Sequence, residues 1–171
     1  MPSRTAWADA YYRQARSDWR LFEELRVRKD VERAHALHYL QMATEKLAKA
    51  YRFRDTRTKE EDLLSSHVGF ERFLRLFLGS ADVVRRYAGR NAQLLRVRRE
   101  CCHVARAVET LTPSVDPEAS PVNAEYPWAD GERVVAPVDH TFSQVDFSKL
   151  PGGRLFLTVV SAAFEEYGGR S

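Results

Sequence analysis

The sequence predicts an all-α protein: an up-and-down bundle of four to five helices, then an extended C-terminal arm with short edge strands, then a final helix. Three observations carry this reading. Large apolar residues recur at three- and four-residue intervals through most of the chain, the spacing that lines one face of a helix. Capping residues and helix breakers punctuate those runs at helical lengths. Most of the prolines cluster between Thr112 and Pro151, a stretch that neither a helix nor a central strand tolerates. The chain therefore divides into a bundle over residues 1–112 and a Pro-rich wrapping arm plus C-terminal helix over 113–171, packed as one domain.

The first helix runs from Thr5 to about Val27, with Trp7, Tyr11, Ala15, Trp19, Phe22 and Leu25 on one face and Arg13, Arg16, Arg20 and Glu24 elsewhere. Ser3 or Thr5 caps it. Asp30 is placed to cap a second helix that reaches about Phe53, with Ala34, Leu37, Leu40, Ala43, Leu47, Ala50 and Tyr51 as its apolar positions. The short link makes the two an antiparallel hairpin. Residues 54–62 are charged and aperiodic and read as a loop. Ser65 or Ser66 begins a short helix carrying Val68, Phe70, Phe73, Leu74, Phe77 and Leu78, and Gly79 ends it. Ser80 caps the next stretch, Ala81 to about Leu111, which Gly89 breaks or bends and Pro113 terminates. In the arm, 133–137 and 140–147 read as edge strands, or else the arm wraps extended with Tyr126, Trp128, Phe142 and Phe147 as anchors. Gly152-Gly153 precede the last helix, Arg154 to Tyr167, and Gly168-Gly169 end it.

A chain of 171 residues buries about 70% of its unfolded surface and needs no metal or disulfide to fold. Its net charge of +3 permits contact with nucleic acid without demanding it. Arginine far outnumbers lysine; the excess suits forked contacts to carboxylate or phosphate, and it also follows from a GC-rich genome. Cys101 and Cys102 are neighbours and cannot form an ordinary disulfide in a helix. No CxxC spacing, signal-peptide core or membrane-length apolar run is present. The expectations are a cytoplasmic protein with no cofactor, no metal site and no membrane contact.

The second helix reads His38-Tyr39-Leu40-Gln41-Met42-Ala43-Thr44-Glu45-Lys46-Leu47-Ala48-Lys49-Ala50-Tyr51. It resembles the hallmark helix of HEPN domains, in which a Gln precedes an Ala-x-Glu-Lys-x-x-Lys-Ala run. Ser66-His67-Val68 with Phe70, Phe73 and Leu74, and a first helix carrying Asp18, are similar to the family pattern as well. The resemblance covers residues 5 to 111; the arm, including Asn123-Ala124-Glu125-Tyr126-Pro127-Trp128, lies outside it. It implies a helical bundle, commonly a homodimer. Many members are metal-independent ribonucleases, or partners of nucleotidyltransferases in toxin–antitoxin and defence systems; others are binding modules.

Nuclease members carry an Arg and, after four to six residues, a His near the start of the last core helix. The His exchanges a proton with the RNA 2′-hydroxyl or leaving oxygen, and the Arg steadies the phosphate charge. Arg98 and His103 have this spacing in the expected helix, although Arg99 stands where the family prefers Asn. Arg33 to His38, Arg28 to His35, Arg96 to His103 and Arg133 to His140 fit the spacing too, so location alone selects Arg98 and His103. Arg85, Arg86, Arg90, Arg96, Arg99 and Arg106 read either as a track for a phosphate backbone or as a solvated face balanced by Glu100 and Glu109. His35 and His38 read as a hydrogen-bonding set rather than metal ligands, and Glu45 and Lys46 as surface or inter-helix ion pairs. Two functions follow. One is an RNA-directed HEPN-like protein, with Arg98 and His103 as a ribonuclease site. The other is a non-catalytic helical module that binds a partner protein or small ligand.

Overall fold

The computed structural model describes residues 2–56, 69–113 and 121–169. Among them it is mostly helical, with six α-helices and one two-stranded sheet. The first two helices are α1, Arg4–Leu25, and α2, Arg33–Arg54. They form the expected hairpin and pack along their length. Ser3 caps α1, its hydroxyl accepting from the Ala6 N–H at 3.1 Å. Ala8 and Ala15 on α1 and Ala43 and Ala50 on α2 are fully buried, small side chains that let two helices approach closely. Asp30 does not cap α2. Its carboxylate is taken by the Arg28 guanidinium, and Glu32 precedes the helix without a side-chain cap bond.

Helix α3 spans Phe70–Phe77. The Ser65 and Ser66 start and His67 lie outside the described residues. What closes the described start is a distant side chain: the Glu109 carboxylate accepts from the Phe70 N–H at 2.9 Å and from the Gly69 N–H. Gly69 has φ 136°, a conformation that side-chain-bearing residues avoid. Helix α4, Ala81–Arg86, is capped by Ser80. The chain then breaks at Gly89, φ 73°, and resumes as α5, Asn91–Glu109. Helix α6, Gly153–Gly169, closes the bundle. The inner rod is α2: it packs against α1, α3, α5 and α6. Phe22, Phe53, Phe142 and Phe156 are fully buried, each stabilising the fold by about 1.5–3 kcal/mol relative to exposure. Rings tie the layers together. Tyr12 stacks on Tyr167 at 4.4 Å, Phe53 on Tyr11 at 5.5 Å, and the Arg54 guanidinium lies 3.5 Å over Tyr167.

The arm is a hairpin followed by two 3-10 turns. β1, Trp128–Asp130, pairs antiparallel with β2, Arg133–Val135. The segment 140–147 is not a strand: it contains a 3-10 turn at Ser143–Val145, entered through Phe142 in the left-handed conformation with φ 47°. Phe142 holds that conformation because its ring is fully buried. Trp128 and Phe142 are anchors and Phe147 is half-buried against the core. Tyr126 is not an anchor: it is 62% exposed. The residue pinned there is Asn123, buried, whose Oδ1 accepts from the Glu125 and Tyr126 N–H groups at 2.9 and 2.7 Å. This turn tucks Ala124 inward, its N–H bonding the Leu111 carbonyl at 3.1 Å, and turns the Tyr126 side chain out. Among the described residues no helix is long and apolar enough to cross a membrane.

Candidate functional site

Arg98 and His103 both lie on α5, but the helix does not bring them to one face. Five residues of helix rotate a side chain by about 140°. Arg98 is half-buried, and its guanidinium donates Nε and Nη2 to the Leu78 carbonyl at 3.2 and 3.0 Å. It thereby satisfies a carbonyl at the end of α3 that the helix leaves without a partner. His103 is exposed and makes no hydrogen bond or ion pair among the described residues.

His103 shares its face with other residues. Arg96, Arg99, His103 and Arg106 fall within about 80° of arc on α5 and along about 15 Å of its length, and all four are exposed. Arg96 reaches Glu100 at 3.7 Å, an exposed contact of little strength. Arg99 and Arg106, like His103, carry no acidic partner among the described residues. The remaining candidate arginines, Arg85, Arg86 and Arg90, are exposed on and just after α4. Arg85 pairs with Asp82, and the Arg90 guanidinium lies 5.5 Å over the Tyr87 ring. The two acidic residues expected to balance this stretch are engaged at its edges: Glu100 with Arg96, and Glu109 in capping α3.

The charged residues of α2 that carry the resemblance lie at the α1–α2 interface and are paired. The Lys46 ammonium sits 2.6 Å from Asp18 Oδ2 across the α1–α2 interface, with side chains 17% and 8% exposed. Gln14 donates to the other Asp18 oxygen at 2.9 Å. One turn along, Glu45 accepts from Gln41 at 2.9 Å and pairs with Lys49 at 3.1 Å. These buried charges are matched one to one, as burial requires. Neither cysteine thiol is shifted towards the thiolate. Burial, with the adjacent Cys102 and Glu100 adding to it, pushes the Cys101 thiol up to about 12. Burial also raises Cys102, with Glu71 contributing.

Sequence reasoning missed one grouping. His38 of α2 meets the arm: its Nδ1 lies 3.4 Å from Glu125 Oε1. His38, His35, Glu125 and Tyr126 line a cavity of about 410 Å³ between the N-terminal half of α2 and the arm. The only sequence signal was Asn123, a residue that turns the backbone back on itself. Among the described residues no three His, Cys, Asp or Glu side chains converge as metal ligands. Comparison with protein-family models, with curated proteins and with solved structures finds no match for the chain.

Proposed function

We propose that this chain is an RNA-binding module of HEPN-like architecture that grips the phosphate backbone along α5 and does not cleave it. The observation that carries the proposal is the cationic face: Arg99 and Arg106, seven residues apart with His103 between them and no carboxylate opposing either arginine among the described residues, and next to them Arg96, in weak contact with Glu100. A stripe about 15 Å long is long enough to meet several successive phosphates of one strand. Arg85, Arg86 and Arg90, exposed on either side of Gly89, add further positive charge just before α5 in the chain. The HEPN-like resemblance lends weight to RNA as the polyanion, since the Gln41, Glu45 and Lys46 helix is the inner rod of the bundle. The cleavage step is left out because Arg98 is committed to the Leu78 carbonyl. A phosphate-stabilising arginine must be free to meet charge as it develops. Association of two copies, or of the chain with a nucleotidyltransferase or antitoxin, belongs to the resemblance alone.

The test is fluorescence anisotropy with a short single-stranded RNA across a salt series. Replacing both Arg99 and Arg106 by Ala should weaken binding at every sequence and flatten the slope of log K against log salt by about 1.4, about 0.7 for each lost contact. Unchanged affinity and slope would remove the proposal. Turnover of the RNA in EDTA, lost on His103→Ala, would replace it with the ribonuclease reading.

A further inference from the structure

The cavity between α2 and the arm has the chemistry of a binding site. Its volume, about 410 Å³, falls within the range of small-ligand pockets. Its walls are small and apolar, with Ala124 and Pro137 among them, and no Arg or Lys lines it. Its one formal charge is Glu125, whose side chain is only 23% exposed. Among the described residues that carboxylate accepts no hydrogen bond. The nearest donor, His38 Nδ1, stands 3.4 Å away, is itself buried, and forms no hydrogen bond with it. A mostly buried carboxylate whose nearest partner is one imidazole nitrogen at 3.4 Å keeps most of its acceptor capacity unused, so the cavity favours a ligand that supplies donors. Tyr126 stands at the rim, 62% exposed, although tyrosine in a folded protein ordinarily buries much of its ring. It is held there by the two backbone bonds to Asn123. His35, also exposed, lies one helical turn before His38.

We propose that this cavity binds a guanine base, stacked on Tyr126 with its Watson–Crick edge on Glu125. Two parallel acceptors, the carboxylate oxygens, match two adjacent donors. Among the four RNA bases only guanine presents such a pair, N1–H beside the N2 amino group; uracil offers a single N–H between carbonyls, and adenine and cytosine a single amino group beside an acceptor. Unstacked bases are read in this way, by an aromatic platform and hydrogen bonds to the Watson–Crick edge. The His35 imidazole is left for the O6 side of the base. With no Arg or Lys in the lining, the cavity is poorly suited to phosphate, so the base, and not the backbone, is the part recognised. As a site on RNA this deepens the backbone-binding reading and rests on it. Free guanosine carries no phosphate, however, so the two readings fail separately.

The experiment is titration of the full chain with guanosine, followed by calorimetry and by the imidazole NMR signals of His35 and His38. Guanosine should bind, move both histidine signals, and bind at least about tenfold more tightly than inosine, which lacks the amino group. Glu125→Gln, which replaces one acceptor by a donor, should abolish that preference. Tyr126→Ala, a change at an exposed ring that leaves the melting temperature in place, should weaken guanosine and inosine alike. Three results would overturn the proposal: no guanosine binding at millimolar concentration, equal affinity for guanosine and inosine, or binding indifferent to Glu125→Gln. Tighter binding of N-acetyl-arginine amide than of guanosine, lost on Glu125→Gln, would overturn it in favour of a peptide guanidinium. If guanosine binds while the Arg99 and Arg106 double variant leaves RNA affinity unchanged, the base site stands without the backbone face.

Discussion

Replacing Asp18 by Ala should destabilise the bundle by about 3 kcal/mol. The carboxylate is 8% exposed and holds Lys46 Nζ at 2.6 Å and Gln14 Nε2 at 2.9 Å. Removing it leaves the Lys46 ammonium in the α1–α2 interface without its counter-charge, while Gln14 is exposed and can turn to water. Deleting one partner of a buried pair costs about 3–5 kcal/mol, because the surviving charge remains desolvated. Lys46 keeps 17% of its side chain exposed and so has a partial route to water, which places the expected value at the lower end. For a chain of this length each kcal/mol lowers Tm by about 2–4 °C, giving a fall of about 6–12 °C. The assay is urea and thermal unfolding of Asp18→Ala, Asp18→Leu, Lys46→Met and the double variant Asp18→Leu with Lys46→Met, the last three read with the parent as a double-mutant cycle. The double variant removes both charges and should return to within about 1 kcal/mol of the parent. A loss below about 1 kcal/mol for Asp18→Ala, the value of an exposed pair, would show that the interface admits water and that the reasoning fails.

Two further outcomes follow from contacts at the bundle's edges. Arg98→Ala removes two charge-assisted bonds to the Leu78 carbonyl and should cost about 1–2 kcal/mol in urea unfolding without changing RNA affinity; a loss of RNA binding with intact stability would assign Arg98 to the binding face instead. Asp146 is held down to about 2 by hydrogen bonds from Ser148, helped by Lys149 and by Arg33 of α2. A carboxyl lowered in the folded state stabilises the fold above its ordinary value near 3.8 and loses that contribution as pH falls towards 2. Acid unfolding of Asp146→Asn should therefore be shallower than that of the parent between those limits and converge with it at the acid end. Parallel curves would sink the assignment.

The parts legible in the sequence are those decided by local spacing. The stripes of α1 and α2, the Ser3 cap, the Ser80 cap and the break at Gly89 all depend on residues within a turn or two of one another. What was not legible depends on contacts across the chain. Glu109 caps α3 from the far end of α5, and no rule of local capping anticipates a donor and acceptor forty residues apart. Asp30 has the right residue type for a helix cap, but Arg28 competes for it and wins. The spacing of Arg98 and His103 could be read, yet spacing along a chain does not fix which way a side chain faces. The helical rotation separates them, and the Leu78 carbonyl claims one. Tyr126 invited a packing role because it is large and aromatic. Its outward position is set by the Asn123 turn, which buries the neighbouring alanine instead.

The position of α2 has a dynamic consequence. A rod walled on several sides by α1, α3, α5 and α6 cannot release its backbone to solvent by fraying or by the departure of a single neighbour. Its amide protons should therefore be the slowest to exchange with deuterated water, at rates that report opening of the whole molecule. The β1–β2 ribbon, with most of its side chains exposed, exchanges on its own clock. Any compound that seats itself on the first turns of α2 thus has its hand on the slowest-opening part of the molecule, and its occupancy would register as protection throughout the chain.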